Sequence, residues 1–105
     1  MMDDDTYARL REVSVPLAGN NVLLPVAVAV ADMGGIVSAP EVMRELGGRL
    51  TTNRILEALP RLAQLGALRE LPYPGLPHPR QFEVIDGPFW SSVIHGWATE
   101  AKVAT

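Results

Sequence analysis

Closely spaced glycines and prolines divide the chain into short segments, and this punctuation limits what the chain can fold into. Breaks fall at Gly19-Asn20-Asn21, Gly34-Gly35, Gly47-Gly48, Gly66 and the proline-rich stretch 72–79. Glycine adopts backbone conformations that end helices, and proline interrupts helices and the hydrogen bonding of strands. The sequence therefore predicts a succession of short helices and strands.

The composition is that of one globular domain. The chain has 105 residues, of which 48% are hydrophobic and 20% charged, near the commonest domain size and unlike a disordered chain. It contains no cysteine, which excludes a disulfide scaffold, a cysteine-ligated zinc or iron–sulfur site and a cysteine nucleophile. The net charge of -3 argues against a nonspecific coat for nucleic acid.

The sequence carries no pattern typical of secretion or membrane insertion. Asp3, Asp4 and Asp5 stand near the start, where a secretory signal would be basic. The longest apolar run, residues 22–31, contains Pro25 and is shorter than the roughly 20 apolar residues that span a bilayer. We therefore expect a soluble, cytoplasmic protein with no membrane partner.

Two helices are predicted in the N-terminal third. The three aspartates suit the positive end of a helix dipole, so a short helix is expected over about 6–13. Residues 22–33 are ambiguous, because their alternating Val and Ala also suit a strand. We favour a helix, since the asparagine pair before it can act as a cap, Pro25 falls in its first turn and Gly34-Gly35 ends it.

A helix-turn-helix unit is expected over about 39–66, after a short strand at 36–37. Ser38 and Glu41 have the spacing of a capping box, in which the Ser38 hydroxyl accepts from the backbone N–H of Glu41. Thr51 is the expected cap of the second helix of the unit. The buried stripe of that helix would comprise Ile55, Leu56, Leu59 and Leu62.

Two strands and a closing helix complete the pattern. The strands are expected over 67–71 and 81–85, paired as a hairpin around the prolines of 72–79. Residues from about 88 to 103 are expected to form an amphipathic helix. The apolar half of that helix would include Phe89, Trp90, Val93, Ile94 and Trp97.

This order of elements resembles that of winged helix-turn-helix proteins, over about residues 22–102. In residues 50–68 small polar residues open a helix, a leucine stripe follows and a glycine precedes a short strand. Residues 80–85 are similar to the second wing strand that leads into the last helix. The chain thus resembles small PadR- and MarR-like bacterial transcriptional regulators. The resemblance implies one α+β, mostly α domain over 1–105, with a wing over about 67–85 and an additional C-terminal dimerisation helix.

The resemblance also implies a function and a site. In such proteins the second helix of the unit enters the major groove and the wing lies on the flanking backbone. A dimeric, sequence-specific regulator of transcription that binds double-stranded DNA is therefore expected. The candidate DNA-binding residues are Arg49, Thr51, Thr52, Asn53, Arg54, Arg61 and Arg80, and the apolar residues of the last helix are the candidate homodimer contacts.

No catalytic or metal-binding set emerges from the sequence. The serines have no histidine–acid partners in a recognisable motif, and there is no phosphate loop. His78 and His95 stand far apart, with no carboxylate at ligand spacing. We therefore expect no enzyme activity, metal or cofactor, and the sequence points to no particular small-molecule effector.

The charge along the chain leaves a second interpretation open. Residues 38–85 hold six arginines against five glutamates, whereas the flanks hold three basic and seven acidic residues. Glu57 and Pro60 stand on the expected outward face, where DNA-binding relatives usually carry basic residues. The alternative is a winged-helix protein-interaction module without DNA binding, because fold alone does not decide function.

Overall fold

The computed structural model describes residues 2–85, which contain four helices and a three-stranded sheet. The order of elements is α1 (Asp4–Ala18), α2 (Leu23–Met33), β1 (Ile36–Ser38), α3 (Ala39–Glu45), α4 (Thr52–Gln64), β2 (Leu68–Glu70) and β3 (Gln81–Val84). This confirms the predicted mostly helical α+β order up to the end of the hairpin. The predicted C-terminal helix, with Phe89, Trp90, Val93, Ile94 and Trp97, lies outside the described residues.

Helix α1 is longer than the sequence predicted. The Asp3 carboxylate accepts a hydrogen bond from the backbone N–H of Thr6 at 2.7 Å, which caps the helix at its start. The helix continues through Pro16 and ends where Gly19 adopts a left-handed conformation with φ of 77°. Because Pro16 falls in the last turn, the hydrogen bond that it cannot donate is lost only at the end of the helix.

Helix α2 confirms the helical interpretation of the valine–alanine segment. The Asn20 side-chain oxygen accepts from the N–H groups of Val22 and Leu23, at 2.9 Å each. The Ser14 hydroxyl, on α1, accepts from the N–H of Leu24 at 3.1 Å. Every residue from 24 to 30 is buried, because α2 packs against α1, α3 and α4. Burial on all sides also explains why the segment lacks a polar face.

The capping box predicted at α3 forms with different hydrogen bonds. The helix begins at Ala39, as expected, but the Ser38 hydroxyl donates to a Glu41 carboxylate oxygen at 2.8 Å instead of accepting from the Glu41 N–H. Ser38 is also the last residue of β1 and pairs with Gln81. Its extended backbone therefore serves the sheet while its side chain contacts the first turn of α3.

The sheet is antiparallel, with the strand order β1-β3-β2. The predicted hairpin of β2 and β3 is confirmed, with Leu68 opposite Val84, and β1 adds a third strand with Val37 opposite Phe82. Phe82 and Val37 are fully buried. The central strand of the wing is thus anchored in the same core as the helices.

Helix α4 buries an apolar stripe in the core, which leaves its opposite face exposed to solvent. Ile55, Leu59 and Leu62 are fully buried, and Leu56 is half-buried. Thr51 caps the helix, since its hydroxyl oxygen accepts from the N–H of Arg54 at 3.3 Å. The burial of one face and the capped start fix which side chains of α4 face solvent.

Candidate nucleic-acid interface

The solvent-facing side of α4 is polar and carries two arginines. Its exposed residues are Asn53, Arg54, Glu57, Arg61 and Gln64, while Pro60 is half-buried. The buried stripe turns these side chains away from the core because an α-helix has 3.6 residues per turn. Asparagine and arginine on such a face have donors and acceptors suited to the edges of adenine and guanine.

The two arginines of α4 are not engaged in ion pairs within residues 2–85. The ion pairs of this part of the chain are Arg9–Glu12, Arg49–Asp4, Arg69–Glu83 and Arg80–Glu70. Glu57 stands between Arg54 and Arg61 in the sequence, yet neither guanidinium lies within ion-pair distance of it. Among the described residues, no carboxylate therefore competes with an external anion for these two arginines.

Arg54 and Arg61 border a small concavity between α4 and the start of α2. Its volume is about 120 Å³, and its lining includes Asn20, Leu23 and Glu57 beside the two arginines. The sequence identified Asn20 as a cap but did not place it next to α4. Asn20 lies beside α4 because α2 packs on α4. The sequence pattern within each helix does not encode that packing.

A second, apolar groove separates α4 from the wing. It has a volume of about 620 Å³ and is lined by Pro40, Thr52, Leu56 and the wing residues Tyr73, Leu76 and His78, with Glu70 and Arg80 at the base of the wing. Thr52 is half-buried in this groove. Of the predicted DNA-binding residues, Thr52 and Arg80 therefore border one groove, while Arg54 and Arg61 border the other.

Arg80 is paired with a carboxylate inside the wing. Its Nε and Nη2 atoms donate to the two carboxylate oxygens of Glu70, at 2.9 and 2.8 Å, and its guanidinium lies 5.5 Å from the ring centroid of Phe82. The hydrogen bonds from Arg80 lower the pKa of the Glu70 carboxyl, although burial opposes the shift, and attraction to the Arg80 charge adds to it. The same bonds raise the pKa of Arg80. Glu70 was absent from the predicted site, and the register of the hairpin was the signal that places it near Arg80.

The loop of the wing is apolar at its tip. Residues 71–79 comprise four prolines, two leucines, one tyrosine, one glycine and one histidine, without a lysine or arginine. Leu76 is 90% exposed, and Tyr73 is also exposed. The wing thus presents carbon-rich surface at its tip and a neutralised arginine at its base.

Arg49 is directed toward the start of α1 instead of toward the face of α4. Its Nη1 atom donates to the carbonyl oxygens of Met2 and Leu46, at 2.9 and 2.8 Å, and its Nη2 atom pairs with the Asp4 carboxylate. The guanidinium also lies 5.2 Å from the ring centroid of Tyr7. Of the seven predicted DNA-binding residues, Arg49 therefore has the most extensive contacts within the protein.

The described part of the chain shows neither a metal-binding cluster nor a membrane-spanning helix. Within residues 2–85, no group of three or more His, Asp or Glu side chains could hold a metal ion. Over the same residues, no helix combines the length and apolar character needed to cross a membrane. Within the described residues, the polar face of α4 and the two adjoining concavities are the candidate binding surfaces.

Comparison with known proteins bears on the fold. No protein-family model and no curated protein matches the chain. Among solved structures, a cysteine-to-serine mutant of MarR from E. coli matches 93% of the chain with a TM-score of 0.54 and 14% identity, and wild-type apo MarR matches 93% with a TM-score of 0.53 and 14% identity. The reduced form of MarR matches 90% of the chain with a TM-score of 0.53 and 16% identity.

The match covers only part of the MarR chains. The chain spans 65%, 66% and 74% of the three MarR chains. It contains no cysteine, so no thiol of this chain corresponds to the one replaced in the mutant. The chain is thus similar in fold to MarR, at low sequence identity.

Proposed function

We propose that this protein is a DNA-binding regulator of transcription that places α4 in the major groove of double-stranded DNA. The observation that carries the proposal is the exposed face of α4, with Asn53 beside two arginines that are not paired with carboxylates in the described chain. The MarR-like fold supports it, since a winged helix-turn-helix presents this helix to DNA.

The polar residues at the start and along the exposed face of α4 are assigned to different DNA contacts. Arg54 and Asn53 lie in the first turn, where side chains of a recognition helix reach base edges. Thr51 and Thr52 are short hydroxyl side chains at the start of the helix, suited to hydrogen bonds with phosphate oxygens. Arg61 lies two turns further on and is assigned to the phosphate backbone.

The wing is proposed to lie on the flanking backbone. Arg80 contacts phosphate by exchanging Glu70 for a phosphate oxygen, which is feasible because both side chains are partly exposed and exposed ion pairs contribute little free energy. Arg49 is left out of this contact set because its guanidinium is directed toward α1. The protein acts as a homodimer, so that two copies of α4 meet two half-sites.

The proposal is tested by selection of bound duplexes from a random DNA library. The enriched duplex is then measured at two salt concentrations, with the mass of the protein in solution determined alongside. We expect a dimer whose affinity for the enriched duplex falls as salt rises. Arg54→Ala should lower that affinity by roughly tenfold to a hundredfold, whereas Arg9→Ala, on α1, should leave it unchanged. The absence of any enriched duplex, or equal effects of the two substitutions, would contradict the proposal.

A specific observation favours the second candidate, a winged-helix module that binds a protein. The groove between α4 and the wing is mainly apolar, the wing tip exposes Leu76, and Arg80 is neutralised by Glu70. Leu76→Ser separates the two functions, because it removes the apolar tip without touching the α4 face and without adding a charge that phosphate would repel. Loss of a co-purifying partner protein, with no DNA retained by either form, would favour the interaction module.

A further inference from the structure

The turn between α3 and α4 is short and leads directly into Thr51, the cap of α4. Gly47 and Gly48 adopt φ values of 67° and 76°, a conformation that side chains rarely adopt. Their N–H groups donate to the carbonyls of Arg44 and Met43, at 3.0 Å each. These bonds hold the turn against the end of α3, and only Leu50 separates Arg49 from Thr51, the cap of α4.

The start of α1 is fastened to this turn by several contacts that converge on Arg49. The guanidinium joins the carbonyl of Met2 to the carbonyl of Leu46, pairs with Asp4 and stacks against Tyr7. A backbone hydrogen bond from Met2 N–H to the Glu45 carbonyl, at 3.1 Å, runs parallel to it. We refer to Arg49 with Met2, Asp4 and Tyr7 as the Arg49 clamp.

The geometry of the clamp is poorly suited to a phosphate contact. Both hydrogens of Nη1 are used by carbonyl oxygens, and one hydrogen of Nη2 is used by Asp4, so three of the five N–H donors of arginine are occupied. Only 22% of the side chain is exposed. A phosphate that drew Arg49 outward would leave the Met2 carbonyl without this donor and would detach α1 from the turn.

We propose that Arg49 is a positioning residue, which sets the placement of α4 through the clamp without contacting DNA itself. The inference rests on the proposed function of α4. It makes the start of α1 part of the DNA-binding apparatus, because displacement of Asp4 or Tyr7 loosens the turn from which Asn53 and Arg54 are presented.

The decisive experiment compares Asp4→Asn with Asp5→Asn. Both substitutions remove one negative charge from the first turn of α1, but only Asp4 pairs with Arg49. If Asp4 held back a phosphate-binding arginine, Asp4→Asn would raise the affinity for the enriched duplex. The clamp predicts the opposite sign, a loss of roughly twofold to fivefold, as suits an exposed ion pair, with Asp5→Asn close to wild type.

Arg49→Lys and Arg49→Ala provide a second, independent test. Lysine keeps the positive charge and still serves as a phosphate contact, but one ammonium group cannot reproduce the planar fork that joins two carbonyls and a carboxylate. We expect Arg49→Lys to lower affinity by about tenfold while the slope of log affinity against log salt stays that of wild type. A slope reduced by about 0.9 in Arg49→Ala would instead identify a lost phosphate contact and overturn the proposal.

A readout without DNA distinguishes failure of the clamp from failure of the proposed function. Backbone amide chemical shifts of residues 51–54 should change in Asp4→Asn and Arg49→Lys and stay constant in Asp5→Asn. If the wild-type protein selects no DNA, the function proposed for α4 fails, and these shifts alone decide whether Arg49 positions the helix. Unchanged shifts in both clamp variants would overturn the positioning role.

Discussion

Helix α4 and the wing both carry arginines, but the two regions differ in what those arginines contact. In the wing, Arg69 pairs with Glu83 and Arg80 pairs with Glu70. On α4, Arg54 and Arg61 have no carboxylate within ion-pair distance in the described structure, although Glu57 is at helical spacing from both. A count of arginines therefore overestimates the positive charge available to DNA, because antiparallel strands bring acidic and basic side chains next to each other.

Phe82→Ala tests whether the wing is anchored in the core as firmly as α4 is. It is expected to have the largest effect of the substitutions considered. Phe82 is fully buried on the central strand, and Leu59 is fully buried on α4. We expect Phe82→Ala to lower the free energy of unfolding by about 3–5 kcal/mol and Leu59→Ala by about 2–5 kcal/mol, because each leaves a cavity. Urea denaturation followed by circular dichroism measures both. A loss below about 1 kcal/mol for Phe82→Ala would contradict a shared core.

The arginines of α4 and of the wing are expected to contribute unequally to DNA affinity. The double variant Arg54→Ala/Arg61→Ala should lower the affinity for the selected duplex about a hundredfold, since it removes a base contact and a phosphate contact. The matched wing variant, Arg69→Ala/Arg80→Ala, should lower it less than about tenfold, because each of its arginines must first leave a carboxylate. Titration of a labelled duplex at fixed salt measures both. If the wing variant loses more affinity than the α4 variant, the wing and not α4 supplies the larger share of the DNA contacts.

The sequence predicted the elements better than it predicted the side-chain partners. Residues 22–33 were predicted as a helix from the asparagines before them, Pro25 and the glycines after them, and Thr51 was correctly identified as the cap of α4. Such features depend on neighbouring residues, which local patterns encode. The third strand of the sheet and the contacts of Arg49 with Met2 and Asp4 join residues more than 40 positions apart, and no local pattern encodes those contacts.

The caps of α4 and α3 are expected to differ in how much they stabilise the fold, and the effect is smaller. The Thr51 hydroxyl accepts from a backbone N–H of α4, whereas the Ser38 hydroxyl donates to the Glu41 side chain. Thr51→Ala should therefore cost about 1 kcal/mol of unfolding free energy, and Thr51→Ser should restore most of it. Ser38→Ala leaves the backbone N–H groups of α3 with the same partners, so its cost should be smaller. Thermal denaturation compares the three variants, and an equal cost for Ser38→Ala and Thr51→Ala would contradict the assignment of the caps.

The smallest expected effect tests whether Arg80 is held by Glu70. Because Arg80 lowers the pKa of Glu70, the folded state favours the ionised carboxylate. The pair therefore stabilises the protein above the unfolded pKa of about 4.3 and loses that contribution as pH falls through the lower pKa of the folded state. Both side chains are more than a third exposed, so solvent screening limits the contribution to less than about 1 kcal/mol.

Glu70→Gln measures this pair in two ways. The difference in unfolding free energy between wild type and Glu70→Gln should be present at neutral pH and should shrink in acid, because the wild-type carboxyl then becomes protonated. At neutral pH Arg80 of the variant no longer has to leave a carboxylate before it contacts phosphate, so DNA affinity should rise slightly while the salt slope stays close to that of wild type. Glu83→Gln, which frees Arg69 instead, is the matched control. If Glu70→Gln and Glu83→Gln raise the affinity equally, the wing interacts with DNA through its overall charge, and Arg80 makes no specific phosphate contact.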